Sequence, residues 1–528
     1  MSEFINEINK RRTFAIISHP DAGKTTLTEK LLLYSGAINV AGTVKGKKSS
    51  KHAVSDWMEI EKQRGISVTS SVLQFKYDGY CINILDTPGH QDFSEDTYRT
   101  LMAADSAVMV IDASKGVEAQ TIKLFKVCLL RNIPIITFIN KMDREAKNPY
   151  ELLEDIENVL GINTYPMNWP IGCGKEFQGV YDRKTESILS FTANNGQKEV
   201  DQKELKITDA DLENEIGKLF KEQLEEDVEL LDIAGDDFNI NQVREGKLTP
   251  VFFGSALTNF GVEPFLKEFL TLTTSPLPRE TQDEEIEPTD ENFSAFVFKI
   301  QANMNKAHRD RIAFMRICSG KFEKNMEVLH VQGGKKMRLS QPQQIMAQER
   351  EIIDEAFAGD IIGVFDPGIF SIGDTICTAS KKVQFKGIPT FAPEHFSLVR
   401  QKDTMKRKQF IKGITQIAQE GAIQIFQEIG AGMEEVIVGV VGTLQFEVLE
   451  YRLKNEYNVD ILINRLPYQF IRWIGNEDID PKQLDLSSDT KKIQDLKGNY
   501  LLLFTSQWTI NWATEHNKGL ILQEFSQE

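Results

Sequence analysis

The stretch that decides the fold is Thr-Phe-Ala-Ile-Ile at residues 13–17, followed by Ser18-His19-Pro20-Asp21-Ala22-Gly23-Lys24-Thr25-Thr26. The apolar run predicts a buried strand, and the second segment matches the phosphate loop G-x-x-x-x-G-K-[ST] except that Ser18 replaces the first glycine. In such a loop, backbone N–H groups point at a phosphate, Lys24 adds a positive charge and Thr25 offers a hydroxyl to Mg²⁺. For this segment alone, an ordinary strand-to-helix turn is the alternative.

A second motif follows the next buried run and favours the phosphate loop over a plain turn. Residues 81–85 are apolar except for Asn83 and lead into Asp86-Thr87-Pro88-Gly89-His90, the pattern D-x-x-G. In this pattern the Asp86 carboxylate supports Mg²⁺ through water, and the Gly89 N–H can contact a γ-phosphate. The order and spacing of the two motifs therefore predict a nucleoside triphosphate site.

A third motif selects the base. The apolar run 133–139 leads into Asn140-Lys141-Met142-Asp143. A carboxylate at Asp143 accepts hydrogen bonds from guanine N1 and N2, whereas adenine presents an acceptor in place of the first donor and nothing in place of the second. Gly254-Ser255-Ala256 fits a loop that contacts the base oxygen through backbone N–H groups. These motifs predict GTP and GDP as ligands, with Mg²⁺.

The arrangement of apolar runs predicts the fold class. Residues 1–278 alternate buried strands with helices, which indicates an α/β GTP-binding domain with an acidic insert at about 145–250. Residues 290–386 contain short strand candidates between turn signals and predict a small β-barrel. Residues 390–528 form a third domain, in which 396–463 show the order βαββαβ, a ferredoxin-like α+β pattern. We expect Thr443 to cap the second helix, and the pattern does not place the strands and helix expected beyond residue 465. A Pro-rich acidic linker is expected at 275–291.

The charge and cysteine content of the chain limit the classes of function that it could have. The 528 residues carry 61 basic and 78 acidic side chains, and the net charge of −17 argues against coating nucleic acid by bulk charge. Residues 199–245 hold 16 acidic and 5 basic side chains, which favours a solvated helical face over an acidic docking surface. Five scattered cysteines suggest neither a disulfide framework nor a zinc site. We expect a cytoplasmic protein without a membrane span.

The motif set resembles the translational GTPases. Arg64-Gly65-Ile66-Ser67 is similar to the effector segment Arg-Gly-Ile-Thr of that family. The resemblance implies that Ser67, or Thr69 as the alternative, is a further Mg²⁺ ligand. It also implies that His90 orients the water that attacks the γ-phosphate, with Lys24 as the second catalytic residue. The implied partner that stimulates hydrolysis is the ribosome.

Longer tracts resemble one branch of this family, the bacterial class II release factors (release factor 3 family). They include 18–26, 308–314, 396–426 and 440–447. Elongation factor G carries two additional C-terminal domains, for which the chain has no room. The resemblance implies a monomeric, ribosome-stimulated GTPase that promotes dissociation of class I release factors after peptide release. The alternatives are an elongation-factor-G-like GTPase of translocation or ribosome protection, and a non-hydrolysing, GTP-gated ribosome-binding module.

Basic side chains form two local clusters despite the acidic total. They are Lys45, Lys47, Lys48 and Lys51, and then Arg400, Lys402, Lys406, Arg407, Lys408 and Lys412. Without context, such runs are usually solvated faces. In a ribosome-binding protein, contacts with rRNA phosphates are the better interpretation.

Overall fold

The computed structural model describes residues 2–37, 69–192, 201–209, 211–234, 238–302, 311–346, 349–429, 435–476 and 479–524. The effector segment with Ser67, the lysine cluster at 45–51 and residues 308–310 lie outside these ranges. Among the described helices, none has the length and apolarity needed to cross a membrane.

The first unit is built on a mostly parallel sheet, as predicted. Its strands lie side by side in the order Ser71–Tyr77, Tyr80–Asp86, Arg11–Ser18, Ser106–Asp112, Ile135–Asn140, Leu248–Phe253 and Asn163–Pro166. Neighbouring strands run parallel, except that Ser71–Tyr77 is antiparallel to Tyr80–Asp86. Apolar side chains on each sheet face pack into a separate core. The unit's helices are Ser2–Asn9, Lys24–Tyr34, Ser94–Met102, Ala119–Leu130, Pro149–Leu160 and Val262–Leu272.

The acidic insert forms a sheet that the sequence pattern did not predict. Antiparallel strands Asn168–Ile171, Gly179–Asp182, Ser187–Thr192 and Asp201–Lys206 precede helices Leu212–Ile216, Lys218–Ala234 and Ile240–Arg244. Helix Lys218–Ala234 buries Leu224 and Leu231 in the same core as the first unit. Its glutamates Glu222, Glu225, Glu226 and Glu229 are exposed. The helix therefore presents an exposed acidic face, which agrees with both the solvated face and the docking surface.

The second unit is the small β-barrel, with one apolar core. The five predicted strands are present as Ser294–Ala302, Arg311–Ser319, Glu327–His330, Ile361–Phe365 and Thr375–Cys377. Five others were not predicted because they are short or polar: Lys321–Glu323, Lys335–Arg338, Ser340–Met346, Glu349–Ile352 and Glu355–Phe357. Met346 pairs with Gln74, so the barrel strands continue the sheet of the first unit.

The predicted linker is partly wrong. Residues Arg279–Glu280 pair with Glu285–Ile286 as antiparallel strands. The Arg279 side chain is buried, donates to the Met102 and Ala104 carbonyls and lies 3.4 Å from Asp105. Composition indicated a solvated connector, but a buried carboxylate distant in sequence holds the arginine inside.

The C-terminal unit confirms the βαββαβ prediction. Its first strands lie in the order Ile461–Arg465, His395–Gln401, Glu435–Val440 and Gln424–Glu428, with helices Arg407–Gln419 and Leu444–Tyr457 packed together. Strands Lys491–Asp495, Tyr500–Phe504, Phe470–Ile474 and Leu522–Gln523, with helix Gln507–His516, extend the sheet beyond Gln424–Glu428.

The predicted cap of the second helix in this unit is wrong. Thr443 has helical backbone angles and its side chain makes no capping hydrogen bond. The Leu444 N–H instead donates to the Asp92 carboxylate, which belongs to the first unit. A cap supplied from 352 residues away leaves no local sequence signal.

Candidate functional site

The phosphate loop lies where strand Arg11–Ser18 ends and helix Lys24–Tyr34 begins. Gly23 has a φ of +99°, a region that favours glycine, and a Cβ there would lie 2.2 Å from the Asn140 amide nitrogen. The Ser18 hydroxyl and Nδ1 of His19 are buried, and neither has a hydrogen-bond partner among the residues that the structure describes. The loop therefore presents unpaired polar atoms beside the start of a helix, where anions bind.

Lys24 and Asp86 are brought together, as the two motifs predict. The Lys24 ammonium donates to the Asp86 carboxylate, and both side chains are almost fully buried. The Thr28 hydroxyl lies 3.5 Å from the same carboxylate oxygen. Thr25 and Thr26 occupy the first turn of the helix and are half-buried. One end of the sheet thus holds the Lys24–Asp86 charge pair, the hydroxyls of Thr25 and Thr26, and the start of helix Lys24–Tyr34.

The Asp86–His90 loop contacts strand Arg11–Ser18, the phosphate loop and the helix Ser94–Met102 that follows it. The Thr87 hydroxyl donates to the Ile16 carbonyl at 2.7 Å, and the Pro88 carbonyl accepts from Thr97 at 3.2 Å. A Cβ on Gly89 would lie 3.5 Å from the Cα of Pro20, so the two loops are in close contact. The Gly89 backbone therefore lies beside the loop predicted to hold the phosphates.

Asn140 joins the base motif to both neighbouring loops. Its amide nitrogen donates to the Ala22 carbonyl at 2.9 Å, and its amide oxygen accepts from the Ala256 N–H at 2.9 Å. Met142 is buried, and its N–H donates to the Gly254 carbonyl at 3.2 Å. The predicted base loops are thus held together by the Asn140 side chain and by one backbone hydrogen bond.

Two charged residues of the base motif are held by side-chain partners. The Asp143 carboxylate accepts a hydrogen bond from the Ser255 hydroxyl at 2.5 Å. The Lys141 ammonium donates to the Asp21 carbonyl and to the Asp112 carboxylate, the latter at 2.6 Å. The phosphate loop and base motif are thereby connected by Lys141, while Asp143 is oriented by Ser255.

Asp112 is a site residue that sequence reasoning missed. It ends strand Ser106–Asp112 at the same edge of the sheet as Asp86 and Asn140, and that position was the available signal. Burial acts to raise the pKa of Asp112, but hydrogen bonds from Lys141 and Ser114 outweigh it and lower the pKa. Asp112 therefore stays ionised and anchors Lys141.

His90 and Thr69 lie apart from the base motif. The His90 side chain is 32% exposed, and its Nδ1 accepts from the Asp92 N–H at 3.2 Å. Thr69 lines a cavity at the junction of the three units, together with Lys299 and Arg452. Ser67, the first choice as an effector-segment ligand, lies outside the described residues.

Three family models match successive parts of the chain. Residues 9–275 match the elongation factor Tu GTP-binding domain, and residues 292–379 match elongation factor G domain 2. Residues 385–514 match the C-terminal domain of the class II release factor RF3. The three matches agree with the α/β, β-barrel and α+β units of the structure.

Curated relatives match along nearly the whole chain. Peptide chain release factor 3 of Symbiobacterium thermophilum is 57% identical over 528 residues and covers 100% of both chains. The proteins of that name from Listeria innocua and Gloeobacter violaceus are 55% and 51% identical, and each match covers 98% of both chains. A crystal structure of a Thermus thermophilus protein aligns with this chain at a TM-score of 0.69 and 22% sequence identity. The alignment covers 93% of this chain and 72% of the Thermus chain, and it supports the fold.

These matches establish the class of activity. The chain is a translational GTPase of termination: it binds guanine nucleotide, hydrolyses GTP and interacts with the ribosome. An elongation-factor-G-like function is not favoured by relatives that are release factors over their whole length. The chain belongs to the peptide chain release factor 3 family.

Proposed function

We propose that this GTPase promotes dissociation of class I release factors from the ribosome after peptide release. The observation that carries the proposal is the convergence of the three nucleotide motifs within a chain that matches release factor 3 from end to end. We also propose that it acts as a cytoplasmic monomer. The proposed domain boundaries remain 1–278, 290–386 and 390–528, supported by the family matches to three successive units.

The proposed reaction is in-line attack of water on the γ-phosphate of GTP. Lys24 offsets phosphate charge from a buried position, which strengthens its electrostatic effect. His90 positions the attacking water, and Gly89 lies close enough to the phosphate loop to contact the γ-phosphate. After hydrolysis, the Asp86–His90 loop loses that contact and is free to change conformation.

The residues present fit a magnesium ion. Thr25 and Asp86 offer hydroxyl and carboxylate oxygens, which Mg²⁺ prefers. The buried Ser18 hydroxyl at the start of the phosphate loop has no hydrogen-bond partner within the described part of the chain. The bound ion would neutralise charge on the β- and γ-phosphates. We propose Thr25, Asp86 and Ser67 as the residues that hold it. Thr69, the alternative to Ser67, is less suited because it lines the cavity that contains Lys299 and Arg452.

The base contacts are proposed from the loops that converge on Asn140. Asp143 accepts from guanine N1 and N2, and the backbone at Ser255 and Ala256 contacts the base oxygen. The Ser255 hydroxyl supports this assignment because it holds the Asp143 carboxylate in one orientation.

The basic cluster around helix Arg407–Gln419 is the proposed rRNA contact. Lys402, Lys408 and Lys412 are exposed on the C-terminal unit. Exposed ammonium groups on one helix can replace the counterions of rRNA phosphates, so this contact is expected to weaken as salt rises. The second cluster, Lys45 to Lys51, lies outside the described residues.

The test is recycling of a class I factor on terminating ribosomes. With GTP, the protein is expected to accelerate release of a fluorescently labelled class I factor, whereas the protein without nucleotide is not. GTP turnover on ribosomes without accelerated recycling would refute the proposal. Turnover no greater than that of the separate components would contradict stimulation by the ribosome.

A variant separates the enzyme from a GTP-gated binding module. His90→Ala is expected to bind GTP with unchanged affinity and to lose roughly 100-fold or more of stimulated turnover. Full turnover in this variant would remove His90 from the mechanism.

A further inference from the structure

Asp92 lies between the proposed catalytic histidine and the C-terminal unit. Its backbone N–H donates to Nδ1 of His90 at 3.2 Å, and its Oδ1 lies 3.3 Å from the same nitrogen. The other carboxylate oxygen, Oδ2, accepts from the Leu444 N–H at 2.7 Å. Only 7% of Asp92 is exposed. One buried carboxylate therefore contacts both His90 and the start of helix Leu444–Tyr457.

The helix start in the C-terminal unit requires this carboxylate. The first N–H groups of a helix have no partner within the helix and carry a partial positive charge. Thr443 precedes the helix without capping it. The negative charge of Asp92 satisfies the Leu444 N–H in its place, a charge-assisted hydrogen bond that is stronger than a neutral one.

The turn before the helix is shaped to admit Asp92. A Cβ on Gly442 would lie 2.0 Å from Cγ and 2.5 Å from Cα of Asp92, so only glycine allows this approach. The Gln445 amide oxygen accepts from the Val441 and Gly442 N–H groups at 2.9 and 3.0 Å, and its nitrogen donates to the Ala422 carbonyl. These bonds hold the turn that contacts Asp92.

Apolar packing reinforces the contact. Phe93, the residue after Asp92, is 5% exposed and packs against Val448 on the next turn of the same helix. Leu444 and Tyr451 complete this small cluster. Movement of the helix would therefore shift the Asp92–Phe93 backbone, which carries the N–H that holds His90.

We propose that Asp92 is a positioning residue through which the C-terminal unit holds His90 in its working orientation. The inference rests on the proposed role of His90. Nδ1 of His90 faces both the Asp92 N–H, at 3.2 Å, and Asp92 Oδ1, at 3.3 Å, so Nε2 is the ring nitrogen that points away from Asp92. Docking of the helix start on Asp92 thereby sets which imidazole nitrogen is available to the attacking water.

The test changes the contact from both sides. Asp92→Ala removes the carboxylate, Asp92→Asn keeps an oxygen that can accept from Leu444, and Gly442→Ala opens the contact from the C-terminal unit. Thr443→Ala and Gln91→Ala are the matched controls, because both residues are exposed neighbours and Thr443 makes no cap. Each protein is assayed for GTP affinity and for kcat and KM of ribosome-stimulated hydrolysis.

Asp92→Ala and Gly442→Ala are each expected to lower kcat roughly 10- to 100-fold with KM for ribosomes and GTP affinity unchanged, because a misplaced group slows chemistry without weakening binding. Asp92→Asn is expected to recover part of the loss. The double variant should be no slower than either single variant, since both changes break one contact. The controls are expected to keep full turnover.

A spectroscopic measurement separates positioning from general instability. In protein labelled with ¹⁵N-histidine, the His90 signal, assigned by its loss in His90→Ala, is expected to report Nδ1 in its contact with Asp92 in the parent. Gly442→Ala should change that signal although it alters no residue of the first unit.

Three results would overturn the inference. The first is Gly442→Ala with parental kcat and an unchanged His90 signal. The second is a higher rate of GTP hydrolysis without ribosomes in either variant, which would show that the contact inhibits hydrolysis. The third is strictly multiplicative losses in the double variant. If His90→Ala keeps full turnover, the proposed role of His90 fails. This failure can be told apart from failure of the Asp92 inference, because the Asp92 and Gly442 variants are compared in the same assay.

Discussion

Replacing Asp143 by asparagine should reverse the base preference of the nucleotide site. The Asp143 side chain is 16% exposed, and its carboxylate is held by the Ser255 hydroxyl at 2.5 Å. In the proposed binding mode, this carboxylate accepts from guanine N1–H and N2–H. An asparagine retains one acceptor oxygen but presents an NH₂ group toward one of the two guanine donors, so one hydrogen bond is lost and the other loses its charge.

The magnitude follows from those two bonds. A hydrogen bond to a charged group contributes about 1.5–3 kcal/mol, and a neutral one contributes about 1 kcal/mol. Replacing two charged bonds by one neutral bond therefore costs about 2–5 kcal/mol, or roughly 30- to 5,000-fold in the Kd for GTP. Ser255→Ala removes only the bond that orients the carboxylate. At about 1 kcal/mol, this variant is expected to weaken GTP binding roughly fivefold without changing the base preference.

The assay is equilibrium binding of GTP, XTP and ATP to the parent, Asp143→Asn and Ser255→Ala proteins. Xanthine has a carbonyl oxygen where guanine has its 2-amino group, so the asparagine NH₂ can donate to it and XTP should bind Asp143→Asn more tightly than GTP does. GTP binding by this variant within about threefold of the parent, with no gain for XTP, would refute the assigned role of Asp143.

Three further outcomes are expected. Asp105→Asn should lower the free energy of unfolding by about 3–5 kcal/mol, because the buried Arg316, which lies 2.6 Å from the Asp105 carboxylate, loses its charge partner. Thermal unfolding measures this loss, and an unchanged melting temperature would contradict it. At pH 8 a thiol reagent should modify the exposed Cys173 in the folded protein but not Cys128. Burial raises the pKa of the Cys128 thiol to about 12, so the reactive thiolate forms only near that pH. Rapid modification of both thiols would contradict this expectation. Lys408→Glu should weaken ribosome binding most at low salt, and equal binding at all salt concentrations would exclude that contact.

The chemistry of the site was predictable because it depends on local sequence. Each nucleotide motif directly follows a buried strand, and parallel strands bring their carboxyl ends to one edge. Lys24 and Asp86 could therefore be expected to meet, and the structure shows that they do. Asp112 could have been found by the same rule, but it belongs to no recognised motif.

The extra strands and the buried linker arginine were harder to predict for a different reason. Strand Lys335–Arg338 is exposed and polar, so it carries no apolar alternation, and its pairing partner Glu327–His330 defines it. Arg279 lies in a segment with the composition of a solvated connector, and only the distant Asp105 explains its burial.

The sequence by itself determined the nucleotide class, the order of the three units and the residues expected to contact GTP, because these depend on short motifs and on apolar periodicity. Only the tertiary structure decided that Asp92 touches both His90 and the start of helix Leu444–Tyr457. The physical reason is that a helix start needs an acceptor for its first N–H groups, and any carboxylate that folding brings there can supply it. Nothing in the residues near Leu444 specifies that this acceptor comes from two residues beyond His90.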